Sequence, residues 1–313
     1  MRILLTGVSS FTGAWMATAL AGAGHEVVGT LQRPRGAYPP LSQQRLAMAA
    51  AAGVTLAEGP SYGTQAFLAL VERGWDVLAY HGADVRDYRS ADFDLFGALE
   101  RNTRGARELC RRAVAAGVGR LIVTGTVFEP FAGTGDQPER AVTPYGLSKA
   151  LSWEVMRFFA EEAGLPVGKF IVANPFGPLE QERFCSYLAR SWLAGQTAEV
   201  RTPDYVRDNV PVDQLAAAYT AFAALPPGDP AAVRAAPSGY VGSQGEFTAR
   251  FAREIGPRLG VATPFTLAEQ TDFSEPLVRI ATDPVAAAWD EGKFWDALAE
   301  DYARRFAHER ISP

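Results

Sequence analysis

The chain reads as an α/β fold built on a doubly wound parallel sheet, followed by a smaller, mainly helical substrate domain. Three observations predict it. Short apolar runs alternate with helical stretches through the first half of the chain. The first of these runs feeds a glycine turn and then a helix, the arrangement of a phosphate-binding βα unit. After Asn174 the alternation stops, strands shorten, and Gly, Pro and aromatic residues become frequent.

The pattern predicts strands at 3–6, 26–31, 54–58, 77–80, 121–124 and 167–172. It predicts helices near 13–23, 65–73, 93–116 and 145–163, with a proline-rich loop at 32–40 and an additional helix at 41–52. A dinucleotide-binding, Rossmann-type domain is expected over 1–174. A substrate domain is expected over 175–204 and 239–313.

The first glycine turn is Thr6-Gly-Val-Ser-Ser-Phe-Thr-Gly13. N–H groups at a helix N-terminus, together with the positive end of its dipole, make an anion site suited to a pyrophosphate. Gly7 allows the tight turn and Gly13 the close helix–strand packing. Ser10 stands where a glycine is usual, so the pattern is incomplete. The residues expected along the cofactor here are Gly7, Ser9, Ser10, Phe11, Thr12 and Gly13.

Tyr145 and Lys149 are four residues apart and face the same side of a helix. An ammonium so placed stabilises a phenolate and makes the phenol a usable proton donor or acceptor. Lysine is rare in this chain, with 3 among 30 basic residues. Arginine is planar and bulkier and would not replace it well. Thr143-Pro144 marks the start of that helix.

These motifs, in this order, resemble the extended short-chain dehydrogenases/reductases, the group of nucleotide-sugar epimerases, dehydratases and 4-keto-reductases. Val77-Leu-Ala-Tyr-His-Gly-Ala83 is similar to the family's fourth-strand segment lining the cofactor, which implicates Tyr80, His81 and Gly82. Asn102 matches a helix asparagine. Leu121-Ile-Val-Thr-Gly-Thr-Val-Phe128 is similar to the fifth strand, whose catalytic Ser or Thr lies three residues before a Val-Tyr/Phe pair. That count falls on Thr124, with Thr126 a rival at the same rim and a candidate substrate contact. Asn174-Pro-Phe-Gly-Pro178 resembles the segment over the active site, implicating Asn174 and Pro175. Arg207-Asp-Asn-Val-Pro-Val-Asp213 resembles a segment whose arginine meets the substrate diphosphate, with Arg279 a second clamp.

The resemblance implies hydride transfer at a sugar carbon, with Tyr145 moving the hydroxyl proton, Lys149 holding the nicotinamide ribose and Thr124 orienting the substrate oxygen. Dehydratases of the group carry an Asp-Glu pair after the catalytic Thr. Here Gly125-Thr126 follow, while Glu129 and Asp136 lie in the next loop, so dehydration is not expected. The second strand ends in Thr30-Leu-Gln-Arg-Pro-Arg35, without the acid that usually binds an NAD ribose. Gln32 and Arg33 are expected at the adenosine, and Arg33 and Arg35 either pair with a 2′-phosphate or are solvated loop residues. The first expectation is therefore NADP, with NAD possible, and a 4-keto-reductase of a nucleotide sugar. The alternatives are an NAD-dependent epimerase, a reductase of a non-nucleotide carbonyl compound, and a non-catalytic cofactor-sensing regulator. The resemblance further implies that 205–238 rejoins the dinucleotide-binding domain, and a homodimer through the helices at 93–116 and 145–163.

The 313 residues are 48% hydrophobic, enough for a full core, and carry a net charge of −5. That charge argues against nucleic acid or an anionic membrane as partner. Cys110 and Cys185 are too few for a disulfide scaffold and are expected as reduced thiols of a cytoplasmic protein. His25, His81 and His308 are isolated in sequence, and no metal site is expected. No apolar run approaches the roughly 20 residues of a membrane span. Met1 leads straight into the first strand, so no signal peptide is expected.

Overall fold

The computed structural model describes residues 1–135, 140–284 and 289–309. Asp136 and the last four residues, 310–313, lie outside them. In chain order the described elements of the first half are β1 (Arg2–Leu5), α1 (Phe11–Gly22), β2 (Glu26–Leu31), α2 (Pro40–Ala51), β3 (Thr55–Glu58), α3 (Gln65–Val71), β4 (Val77–Tyr80), α4 (Leu95–Thr103), α5 (Ala106–Ala115), β5 (Arg120–Thr126), β6 (Thr134–Gly135), α6 (Pro144–Ala163) and β7 (Val167–Val172). The second half holds β8 (Asn174–Phe176), α7 (Phe184–Leu193), β9 (Ala198–Val200), β10 (Val206–Pro211), α8 (Val212–Ala224), β11 (Arg234–Ala235), β12 (Tyr240–Ser243), α9 (Gln244–Leu259), β13 (Phe265–Leu267), β14 (Val278–Ile280) and α10 (Glu291–Arg305).

Seven parallel strands form the main sheet in the order β11-β7-β5-β4-β1-β2-β3. Its inner strands are apolar on both faces because helices cover both. One face packs Ile3, Leu5, Ile122 and Phe170 against Met16 and Leu20 of α1 and Leu215, Tyr219 and Phe222 of α8. The other packs Leu4, Leu78, Leu121 and Val123 against Phe67 of α3, Leu109 and Cys110 of α5 and Met156 and Ala160 of α6. This is a Rossmann-type doubly wound sheet. The chain order reverses between β4 and β1, so the loops after those two strands open into one crevice, where ligands of such sheets bind.

The helix expected over 93–116 is two helices. Arg104 leaves the helical region with ψ 121°, and Gly105 takes a left-handed φ of 69°, ending α4 and starting α5. A seventh strand, β11, extends the main sheet beside β7 and was too short to register as a pattern.

Within 205–238, α8 and β11 pack with the main sheet. β10 belongs to a second sheet, of order β12-β10-β14-β6, with β8 also paired to β10. The apolar core beyond Asn174 joins Phe176, Leu188 and Trp192 to Phe247 and Phe251 of α9 and Trp295, Leu298 and Tyr302 of α10. Among the described residues, no helix is long and apolar enough to cross a membrane.

Candidate active site

The glycine turn is shaped by the two segments that converge on it. Gly7 has φ 76°, and a β-carbon on it would lie 2.7 Å from Gly82 Cα. A β-carbon on Gly13 would lie 2.7 Å from Ser10 Oγ and 2.9 Å from the His81 ring. Ser10 needs no glycine: its φ is −75°, and its hydroxyl caps α1 by accepting from Gly13 N–H at 3.1 Å. The departure from the glycine pattern is thus an N-cap. Thr6 Oγ1 accepts from the backbone N–H groups of His81 (3.0 Å) and Gly82 (2.8 Å), locking the two loops together.

His81, isolated in the sequence, joins three elements. Its Nε2 lies 3.2 Å from Ser10 Oγ and 3.0 Å from Thr12 Oγ1, and its Nδ1 lies 3.0 Å from Thr124 Oγ1. Burial, with the Lys149 charge adding to it, pulls the imidazole down to about 3, so the ring is neutral at physiological pH. Thr124 is 5% exposed. The buried Tyr219 phenol also bears on Thr124, without a well-formed hydrogen bond.

Tyr145 and Lys149 stand in the first two turns of α6. Thr143 caps that helix through Gly146 N–H at 3.1 Å, Pro144 sits in its first turn, and Gly146 abuts the Phe128 carbonyl. The Tyr145 ring lies in an aromatic box of Tyr88 (5.5 Å between centroids), Phe93 (5.7 Å) and Phe128 (6.3 Å). Burial first, then the charge of Glu129, pushes its phenol upward, while Arg183 acts the other way. Lys149 is 6% exposed. Burial draws its ammonium from 10.5 to about 8, against the opposing pull of Glu129.

Other predicted residues are held differently. Asn102 accepts from Asp84 N–H at 2.9 Å, reaches Ser152 Oγ at 3.5 Å, and its carbonyl takes the Tyr80 hydroxyl at 2.5 Å. Its side chain therefore ties the loop after β4 to α6. Gln32 and Arg33 are exposed, and the Arg33 guanidinium lies 4.5 Å from the Tyr38 ring centroid. Thr126 is buried at the end of β5, and its backbone N–H is taken by Glu129 Oε1 at 2.8 Å.

Asn174 and Pro175 begin β8, in register with Asn209 and Val210 of β10. Arg207 and Arg279 are register partners on β10 and β14. Both bond Glu275 Oε2, at 3.0 and 2.9 Å. Arg207 also donates to the carbonyls of Val206, Pro276 and Leu277. Arg279 is 6% exposed, lies 3.9 Å from the Phe128 ring centroid, and has Nε and Nη1 without a hydrogen-bond partner.

Tyr88, Phe93, Arg183, Lys169 and Glu275 border this region without having been marked in the sequence. Tyr88 and Glu275 lie in loops, where no periodicity flags a residue. Lys169 carried a signal, as one of three lysines. Among the described residues no group of His, Cys, Asp and Glu could hold a metal ion.

A protein-family model described as "NAD dependent epimerase/dehydratase family" matches residues 3–232. The chain belongs to that family. No curated protein matches the chain. Among solved structures, a Tyr-to-Phe mutant of UDP-glucuronic acid 4-epimerase from Bacillus cereus, in complex with a fluorinated UDP-glucuronic acid and NAD, superposes with a TM-score of 0.74 at 16% identity, covering 97% of this chain and 100% of that one. UDP-glucose 4-epimerase from Thermotoga maritima, with UDP-glucose, gives 0.71 at 17% identity, covering 97% and 99%. A double mutant of the dTDP-glucose 4,6-dehydratase DesIV from Streptomyces venezuelae, with NAD bound, gives 0.72 at 20%, covering 99% and 100%. At these identities the likeness establishes the fold the family member shares with them.

Proposed function

We propose that this family member is an NAD-dependent epimerase acting at a ring hydroxyl of a nucleoside-diphosphate sugar. The observation that carries the proposal is Tyr145, enclosed by aromatic rings one helical turn from a buried lysine, beside the crevice of a dinucleotide fold. The residues suit a dinucleotide: Gly7 and Gly13 let the turn pack closely on the loop after β4, and the turn leads into the N-terminus of α1, which offers an anion its free N–H groups. Gly7, Ser9, Ser10, Phe11, Thr12, Gly13, His81, Gly82 and Lys149 would hold the cofactor, with Gln32 and Arg33 at the adenosine. When bound, NAD supplies reversible hydride acceptance.

The chain's own residues do the rest. Tyr145 takes and returns the sugar hydroxyl proton. Lys149, charged below about pH 8, stabilises the phenolate. Thr124 hydrogen-bonds the same sugar oxygen. Arg279, with part of its guanidinium unpartnered, meets the diphosphate, and Arg207 supports it from the neighbouring strand.

The sequence alone favours an NADPH-dependent 4-keto-reductase. Epimerase and NAD, its alternatives, are preferred because two of the three structures compared are epimerases, NAD is the cofactor in two of the three complexes, and Gly125-Thr126 lack a dehydratase's acid pair. The absence of an acid at the end of β2 favours the reductase as second reading. A homodimer is proposed through α4 and α6. Leu109 is buried in the core, and Val155 and Phe159 pack against it. Phe96 (81% exposed), Phe158 (62%) and Leu147 (37%) give these two helices an exposed apolar face.

The test is incubation with UDP-glucose, with UDP-glucuronic acid and with a UDP-4-keto sugar, in the presence of NAD or NADPH, for wild type and Tyr145→Phe. Interconversion of C4 epimers without consumption of reduced cofactor, lost by about 10²–10⁴-fold in Tyr145→Phe, is expected. Stoichiometric NADPH oxidation with a 4-keto sugar and no epimer formation would favour the reductase. Full turnover by Tyr145→Phe would overturn both.

A further inference from the structure

The acid pair of a dehydratase is missing at Gly125-Thr126, yet a carboxylate occupies that space. Glu129 folds back across the turn after β5, and its Oε1 accepts from Thr126 N–H at 2.8 Å. A β-carbon on residue 125 would lie 2.8 Å from that oxygen and 2.8 Å from Lys169 Cε. Glycine at 125 is therefore the steric condition for this arrangement.

Glu129 Oε2 lies 2.6 Å from Lys169 Nζ, and the carboxylate is wholly buried. Oε2 thus has the Lys169 ammonium as its ionic partner, while Oε1 is held by the backbone. Lys169 stands on β7 opposite Val123 of β5, and its ammonium lies 5.3 Å from the Trp153 ring centroid. Trp153 is one turn beyond Lys149 on α6. Lys169 thus pairs directly with Glu129, Lys149 feels the same carboxylate through space, and Phe128, the residue before Glu129, has its ring 6.3 Å from that of Tyr145. A compact ammonium fits such a space, whereas a guanidinium would bring five donors to satisfy.

We propose that Glu129 and Lys169 are a buried positioning pair for the Tyr145–Lys149 couple, an ion pair set near the phenol and the ammonium by β7 and the turn after β5. The role presupposes the proton-transfer function given to Tyr145 and Lys149 above. Glu129 favours the charged ammonium of Lys149 and disfavours the phenolate of Tyr145, and Lys169 opposes Glu129 at Lys149. The other groups bearing on the couple are Tyr88 in the loop after β4, Arg183 before α7, and His81, which is itself influenced by Lys149. Glu129 need not touch substrate. It sets the electrostatic frame in which the couple exchanges its proton.

Three lysines make the test direct. Biosynthetic labelling with lysine carrying ¹³C at Cε gives one NMR signal per lysine, assigned by substitution, and the Lys149 signal is titrated in the ligand-free protein. Glu129→Gln is expected to lower the Lys149 midpoint by about one pH unit, and Lys169→Met to raise it. The double variant Glu129→Gln/Lys169→Met is expected to return it toward wild type. If Glu129→Gln alone does not fold, Lys169→Met and the double variant carry the same comparison. Unmoved midpoints in folded variants, or shifts of the same sign in both single variants, overturn the pair. Turnover retained by Tyr145→Phe would remove the couple's function and leave these titrations intact, so the two failures are distinguishable.

Discussion

His81 Nδ1 lies 3.0 Å from Thr124 Oγ1, joining the loop after β4 to the strand end that carries the proposed catalytic hydroxyl. The neutral ring has one donor and one acceptor. Ser10 Oγ already accepts from Gly13 N–H, so its own proton can point at His81 Nε2. The ring hydrogen then sits on Nδ1 and is donated to Thr124, leaving the threonine proton for a substrate oxygen. His81→Leu removes this order. Its kcat should fall about tenfold, the worth of one hydrogen bond, with a smaller change in KM for the nucleotide sugar. His81→Asn should recover part of the loss. Because the ring titrates only near 3, His81 adds no inflection to the pH–rate profile between pH 5 and 9. Equal loss of kcat and NAD affinity in His81→Leu would assign the residue to the cofactor loop alone.

Lys149 is held against its stability preference. Its midpoint is drawn from 10.5 in the unfolded chain to about 8 in the fold. Between those pH values the unfolded chain keeps the proton that the folded chain releases, so stability rises with pH across that window. Below about pH 8 both states hold the proton and the full penalty stands. Lys149→Met should therefore stabilise the ligand-free protein at pH 7 by about 1–3 kcal/mol while abolishing most turnover. Denaturant melts at pH 7 and pH 10 would check it. A variant less stable than wild type at pH 7 would contradict the sign.

Glu275 bonds both Arg207 and Arg279, the position a diphosphate oxygen would take between two guanidinium groups. Arg279→Ala should weaken binding of UDP-glucose by roughly 10- to 100-fold, the worth of a charge-assisted pair, with NAD affinity unchanged. Arg207→Ala should cost folding stability as well, since its guanidinium also holds three backbone carbonyls. Glu275→Gln should tighten UDP-glucose binding by weakening the internal competitor. Calorimetric titration separates these outcomes, and an Arg279→Ala protein with wild-type affinity would remove the clamp.

Phe158 and Leu147 on α6 and Phe96 on α4 are the large exposed apolar side chains of the two helices proposed to pair with a second copy. Phe158→Glu would place a charge in that interface. Sedimentation should find wild type as a dimer at micromolar concentration and Phe158→Glu as a monomer with an unchanged circular dichroism spectrum. A wild-type monomer would exclude the pairing.

Most of the sheet was legible because a parallel strand buried on both faces is a run of apolar residues bounded by turns. Residues 26–31, 77–80 and 167–172 coincide with β2, β4 and β7. The break between α4 and α5 was signalled by Gly105, yet a lone glycine within a helical pattern does not by itself decide between a tolerated cost and an end. Strand β11, two residues long, exists only because β7 offers it an edge.

The sequence by itself determined the parallel α/β class, the glycine turn at Gly7 and Gly13, and the one-turn spacing of Tyr145 and Lys149. Each rests on local order: periodicity, turn chemistry and helix pitch. Only the tertiary structure decided that His81 reaches Thr124 across 43 residues, that Lys169 meets Glu129 across the sheet, and that Glu275 closes the two arginines. These contacts depend on strand order and on side chains that fold back over turns. Nothing within a short window of sequence encodes either, because the energy that selects them comes from burial and charge pairing between segments distant along the chain.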